Sequence, residues 1–289
     1  MTRVDATLAQ RGLSRDLLAR NVALACLLEV SAPKPGNITP VHDFADTTYA
    51  DMLRSALALG PVFASARVGE FGVGQLIADG VAATARDVGA NTNLGIVLLF
   101  APLARAALAK RADETLRAAT ERVLAYLGVG DASAAFTAIA AASPGGLGDA
   151  PEHDVREPAR VTLRDAMVAA ADRDSIASEY ATGYAIVFGT GLPLLSGALH
   201  DGAPTLEAIV SLHLGLLAEH RDTLIERKAG PEAARAVSAD ARRVLDGRLS
   251  ATDFDASLRS PDHRLNPGTT ADLVAATLLA ALLSGVELP

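Results

Sequence analysis

LNPGTTADLVAATLLAALLS, residues 265–284, is the stretch that decides the fold class of this chain. Pro267 and Gly268 stop whatever precedes them, and Thr269 or Thr270 can cap a helix that follows. Pro at the mouth and Asp272 in the first turn suit the positive end of a helix dipole, so a last helix is expected over residues 269–284. The apolar part, residues 271–286, opens with Asp272 and falls short of the ~20 apolar residues that a bilayer span needs. It reads as a helix buried in protein. A second apolar stretch, residues 95–108, is short and broken by Pro102 and Arg105, and reads the same way.

The composition agrees. Half of the 289 residues are hydrophobic, only 4% are aromatic, and there is no Trp. Most of the apolar mass is Ala, Leu and Val, and Ala and Leu are the strongest helix formers. Strict apolar–polar alternation is almost absent. Helices are expected over residues 15–30 (capped by Ser14), 52–66 (started by Thr48 with Asp51), 74–88, 92–109, 113–127, 132–142, 163–171, 175–199, 205–227, 232–246 and 252–258, before the last one. No repeat or low-complexity linker divides them. The reading is all-α, a single compact multi-helix domain over residues 1–289.

Charge and cysteine usage narrow the function classes. A net charge of −8, a pI near 5.3 and the lack of a long Lys/Arg run argue against a nucleic-acid partner. A small anionic ligand needs only a few cations in a pocket and stays open. The single Cys26 excludes an internal disulfide and a Cys-cluster metal site, and reads as a small buried hydrophobe. No basic segment leads into an apolar signal core, so a soluble chain in the cytoplasm, with no membrane partner, is expected.

Four polar segments between bland helices are where chemistry is expected. The first is Pro33-Lys34-Pro35-Gly36-Asn37 with His42, Asp43, Asp46 and Asp51. A lysine on a proline-stiffened backbone suits a phosphate, and Mg²⁺ binds through one or two carboxylates plus substrate phosphates. The second is Gly89-Ala90-Asn91-Thr92-Asn93-Leu94-Gly95, where Asn91 or Thr92 can open a helix whose free N–H groups suit an anion. The third is Pro144-Gly145-Gly146-Leu147-Gly148-Asp149 with Glu152, His153 and Asp154, which continues to Arg173, Asp174 and Glu179 as a flexible acidic loop or a lid. The fourth is Leu265–Leu273. Each segment on its own also reads as ordinary turn and cap chemistry.

Taken in order, Ser31–Gly36, Asp51-Met52, Gly89–Gly95, Gly183-Tyr184, Asp222-Thr223 with Arg227, and Leu265–Leu273 resemble the triphosphoribosyl-dephospho-CoA synthase family, from about Leu27 to Leu282. The resemblance implies an all-helical enzyme that takes ATP and 3′-dephospho-CoA, or a similar acceptor, and moves the triphosphoribosyl group with release of adenine. Its product is the prosthetic-group precursor of a lyase acyl carrier. It also implies Mg²⁺ with ATP, nucleotide binding by Lys34, Gly36, Asn91, Thr92, Asp222, Arg227, Gly268 and Thr269, and metal binding by Asp51 and Asp272. Asp43, Asp46, Asp51 and Glu179 are the catalytic carboxylates to expect for an oxocarbenium-like transition state. A homodimer is left open.

The chain departs from the family pattern. Where the family has Asn-Thr-His-Lys-Gly, this sequence has Asn91-Thr92-Asn93-Leu94-Gly95, and the family's Asp-Thr-Asn is Asp222-Thr223-Leu224. A related nucleotide-dependent transferase in a tetrahydromethanopterin-type one-carbon pathway is one alternative. An N-glycoside hydrolase and a non-catalytic helical nucleotide-binding protein are others. Two expectations are sharp. Asp43, Asp46 and Asp51 should gather at a pocket mouth with Lys34 as a surface cation, whose loss weakens nucleotide binding and spares stability. Asp272 should serve the site and not only the helix dipole.

Overall fold

The computed structural model describes residues 13–65, 72–142 and 152–288. Among them are fourteen α-helices, one π-helical turn and no strand. They are α1 (Arg15–Ser31), α2 (Tyr49–Ala64), α3 (Val73–Val88), α4 (Leu94–Ala109), α5 (Leu116–Ala125), α6 (Val129–Ala142), α7 (Leu163–Ala170), α8 (Ser175–Thr182), the π turn (Val187–Gly191), α9 (Leu192–His200), α10 (Thr205–Glu219), α11 (Thr223–Ala229), α12 (Pro231–Leu245), α13 (Ala251–Leu258) and α14 (Gly268–Leu283). The all-α expectation holds. The expected irregular stretch at residues 143–149, like residue 66, lies outside the described residues.

The two apolar stretches of the sequence are the two central helices. Both α4 and α14 bury side chains around most of their circumference and pack on one another. A helix apolar all round belongs in a core. Around them sit α1, α3, α5, α8, α10 and the π turn. A second, smaller core forms where Leu214 and Leu217 of α10 meet Ile225, Ala234, Val237, Phe254 and Leu258 from α11, α12 and α13. Because α10 also gives Ile209, Leu212 and Leu216 to the main core, it joins the two. No single described helix is long and apolar enough to cross a membrane.

Pro102 inside α4 has a structural consequence that involves two tyrosines. Proline has no N–H, so the carbonyl of Leu98, one turn back, loses its intrahelical donor. The buried Tyr180 hydroxyl donates to that carbonyl at 2.7 Å, and Tyr184 donates to the next one, Leu99, at 2.8 Å. A buried carbonyl without a donor would cost about 1–3 kcal/mol. The tyrosines therefore fasten α8 to the middle of α4.

Residues 175–199, expected as one helix, are two, bent by 89° after Thr182. Gly183 (φ 66°) and Tyr184 (φ 59°) both adopt the left-handed conformation, which ends α8 and turns the chain. A side chain at 183 would also run into Glu121, 2.7 Å away. Beyond the bend, Glu179 accepts the backbone N–H groups of Ile186 and Val187 at 2.8 and 2.9 Å, supplying the cap that the restarted helix needs. The expected helix over residues 205–227 also breaks, at residues 220–222, where Asp222 starts α11.

Glu179 is fully enclosed, and burial, outweighing its two backbone N–H bonds, pushes its pKa from 4.5 up to about 7. Between those values the folded chain holds a proton that the unfolded chain releases. The Glu179 contribution to stability is thus fullest below about pH 4.5 and is lost as pH rises toward 7, by on the order of 3 kcal/mol for such a shift. Replacing Glu179 by Gln removes the titration, so thermal melts across this range should show a flatter pH profile for the variant than for the parent chain. Parallel profiles would assign the slope to other groups.

Candidate active site

One large cavity, about 490 Å³, opens where the C-terminal end of α1 meets the N-terminal ends of α4, α8, α11 and α14. Its inner wall is apolar, with Leu94, Leu98, Phe136, Ile139, Met167 and Ile176. Its mouth is polar, with Asp46, Thr47, Asn91, Thr92, Asn266 and Lys228. At the rim Phe44 stacks on His263 with ring centroids 3.9 Å apart and planes 16° from parallel.

Helix ends account for much of its chemistry. Asp174 caps α8 by accepting from Ile176 and Ala177 N–H, and Asp222 caps α11 by accepting from Leu224 and Ile225 N–H. The cap residues of α4 and α14, Asn93 and Pro267, supply no side-chain cap. Asn91 takes the Leu94 N–H at 3.2 Å. The N–H groups of Gly95, Ile96 and Thr269 are left without a partner among the described residues, and all three residues line the cavity. Such orphan donors at the positive end of a helix are a ready anion site.

Asp222 is buried and is the joint that brings these ends together. One carboxylate oxygen caps α11, and the other accepts the N–H and hydroxyl of Thr270 at 2.7 and 2.8 Å, which fixes the start of α14. Thr223 extends the joint, donating to Thr269 and accepting from Ser175 N–H, each at 3.3 Å. Arg227 closes it by pairing with Asp174 at 2.7 Å. Burial raises the Asp222 pKa, opposed by those same donors.

Asp272 stands in the wall with no hydrogen-bond or ion-pair partner among the described residues. Its carboxylate lies over Gly95, where even a methyl group would come within 2.1 Å of it. Burial raises its pKa well above the usual value, and so do the negative charges of Glu29, Asp222 and Asp174, while Arg227 pulls the other way.

Of the residues expected from sequence, Asp46, Asn91, Thr92, Arg227, Gly268, Thr269 and Asp272 share this cavity. The others lie off its wall. Asp43 accepts the Tyr49 N–H at 2.6 Å beside the start of α2. Asp51 forms a capping box with Thr48 and pairs with Arg54 at 2.9 Å, and its pKa is lowered chiefly by Thr48. Glu179 serves the bend described above. Gly36 takes the left-handed conformation (φ 77°), gives its N–H to Asp255 at 2.8 Å and has no room for a side chain against Leu258 and Pro267.

Lys34 departs furthest from expectation. It is not a surface cation at a pocket mouth: its side chain is 0% exposed and pairs with Glu29 at 2.9 Å. The expected gathering of Asp43, Asp46, Asp51 and Lys34 at one mouth therefore reduces to Asp46. Glu29 is a wall residue that the sequence reading passed over. A signal was there, since a glutamate in the last turn of an apolar helix opposes the helix dipole and needs compensation. Cys26 is buried, as expected.

Among the described residues no three His, Cys, Asp or Glu side chains are grouped to hold a metal by protein ligands alone. A crystal structure from Archaeoglobus fulgidus, provisionally described as a triphosphoribosyl-dephospho-CoA synthase, shares the fold with a TM-score of 0.64. The two sequences are 24% identical, and the match covers 81% of this chain and 100% of that one. No curated protein matches the sequence. The model of the CitG family, ATP:dephospho-CoA triphosphoribosyl transferase, matches residues 15–288. The uncapped helix ends and the cavity they surround thus belong to a member of the CitG family of ATP:dephospho-CoA triphosphoribosyl transferases.

Proposed function

We propose that this cavity is the active site, in which the chain transfers the triphosphoribosyl group of ATP to 3′-dephospho-CoA and releases adenine. The observation that carries the reading is the pair of uncapped helix N-termini, α4 and α14, at a cavity whose other two helix ends are capped by aspartates. The open N–H groups of Gly95, Ile96 and Thr269 suit the triphosphate, with Arg227 and Lys228 beside them. The Phe44–His263 pair offers a flat surface for a purine, and the apolar inner wall suits the less polar parts of the acceptor. Both substrates are held inside cells, and on that ground we place the protein in the cytoplasm.

Charge balance supports Mg²⁺ as the companion of ATP. Seven carboxylates line the cavity (Glu29, Asp46, Glu152, Asp154, Asp174, Asp262 and Asp272) against three permanent cations (Arg173, Arg227 and Lys228). A triphosphate entering such a site needs a cation with it. Mg²⁺ takes one or two carboxylates and completes its shell with phosphate oxygens and water. Asp272, unpartnered and crowded by like charges, fits that role. Asp51 does not, because both its oxygens are engaged. Bound there, the ion would neutralise the triphosphate.

The purified chain incubated with ATP, Mg²⁺ and dephospho-CoA should release adenine and form an acceptor heavier by one triphosphoribosyl group, read by mass spectrometry, and a chelator should abolish both. Adenine without the heavier acceptor would make it a hydrolase, and no adenine with any acceptor would make it a binding protein. Asp272→Asn separates site from scaffold. Because the folded environment disfavours the Asp272 charge, Asn should leave the melting temperature unchanged or raised while turnover is lost. A variant that melts earlier yet turns over normally would reduce Asp272 to a helix-end residue.

A further inference from the structure

We infer that Glu29 is the carboxylate that faces the reacting ribose, and that Lys34 is its positioning residue. The inference rests on reading the cavity as the transferase site. Glu29 lies in the last turn of α1, 4% exposed, at the wall of the cavity. That is an unfavourable place for an anion: it is buried, and it sits at the negative end of a helix. Lys34, five residues on, offsets both costs. Its ammonium pairs with one carboxylate oxygen at 2.9 Å and also donates to the backbone carbonyl of the same Glu29. Pro33 and Pro35 stiffen the loop that returns it there. His213, fully buried and within the reach of the Lys34 charge, has its pKa lowered by burial and that charge to about 3, so it adds no second positive charge beside Lys34.

The result is a glutamate fixed at both backbone and carboxylate. Its second oxygen has no partner among the described residues. Among the carboxylates at this wall, Asp174 is spent on a helix cap and Arg227, while Asp46 sits on an exposed loop. In the transfer, the bond from ribose C1′ to adenine breaks and its electron pair leaves with the base. The acceptor hydroxyl oxygen forms the new bond to C1′, and the hydroxyl proton ends on adenine. Between the two events C1′ carries positive charge. A carboxylate already held in place stabilises that charge without reorganising. A buried ion pair whose only task was stability would be a weak choice, since apolar residues of the same size serve as well.

The test compares steady-state adenine release and melting temperature for the full chain and three variants, with ATP, Mg²⁺ and dephospho-CoA. Glu29→Gln should lower kcat by about 100-fold or more while KM for ATP stays within about threefold. Lys34→Met should lower both kcat and the melting temperature, because it strands a buried carboxylate. The double variant, with no charge left to strand, should recover the melting temperature and remain as slow as Glu29→Gln. If Glu29→Gln does not fold, the double variant carries the comparison. Recovery of turnover together with stability in the double variant would overturn the inference and leave the pair as scaffold, as would a Glu29→Gln enzyme of ordinary kcat. A parent chain that releases no adenine would instead sink the transferase reading on which the inference stands.

Discussion

The site depends on one buried carboxylate, Asp222. Four donors from two helices converge on it: the Leu224 and Ile225 N–H groups at the start of α11, and the N–H and hydroxyl of Thr270 at the start of α14. A buried anion is tolerated when its lone pairs are filled in this way. The arrangement also spends the capping need of α11 on joining two elements 48 residues apart in sequence. With that joint made, the start of α14 stands beside the start of α4, and Asp272 comes to lie over Gly95.

Capping is distributed unevenly, and the distribution has a physical sense. Seven of the fourteen described helices start on a residue whose side chain accepts their first N–H groups: Ser14, Thr48, Thr115, Thr162, Asp174, Asp222 and Ser250. Cap side chains are also absent at α3, α9, α10 and α12, but at the cavity the starts of α4 and α14, helped only by Asn91 and Asp222 at one N–H each, leave the N–H groups of Gly95, Ile96 and Thr269 open. A missing cap costs roughly 1 kcal/mol, and a site for an anion is where such a cost is offset on binding. The crowding of Glu29, Asp174, Asp222 and Asp272 is of the same kind. It is unfavourable by itself, and the Mg²⁺ proposed to accompany ATP would relieve it.

Fold class was legible in the sequence because the two central helices are written as long apolar, Ala/Leu-rich runs, the last of them opened by Pro267 and Gly268. Helix breaks were less legible. The bend after Thr182 needs Gly183 and Tyr184 to go left-handed together, and its cap, Glu179, precedes the helix that it caps by seven residues. A local reading sees only another helical glutamate. Cavity-lining residues on helix starts were legible because Asn91, Thr92, Gly268, Thr269 and Asp272 sit in the punctuation between helices. Lys34 was misread for a tertiary reason: the sequence showed a lysine between prolines in a loop, and only folding turns that loop back on the end of α1. Glu29, the residue it holds, was hidden inside an apolar helix.

Triphosphate is proposed to bind at the open helix ends of α4 and α14, with Asp272 and Glu29 on the same wall. A crystal structure of the chain with Mg²⁺ and a non-transferable ATP analogue tests it directly. Phosphate oxygens are expected within hydrogen-bond distance of the N–H groups of Gly95, Ile96 or Thr269, with the ribose against the wall that carries Glu29. Nucleotide bound elsewhere on the molecule, with those N–H groups untouched, would contradict it.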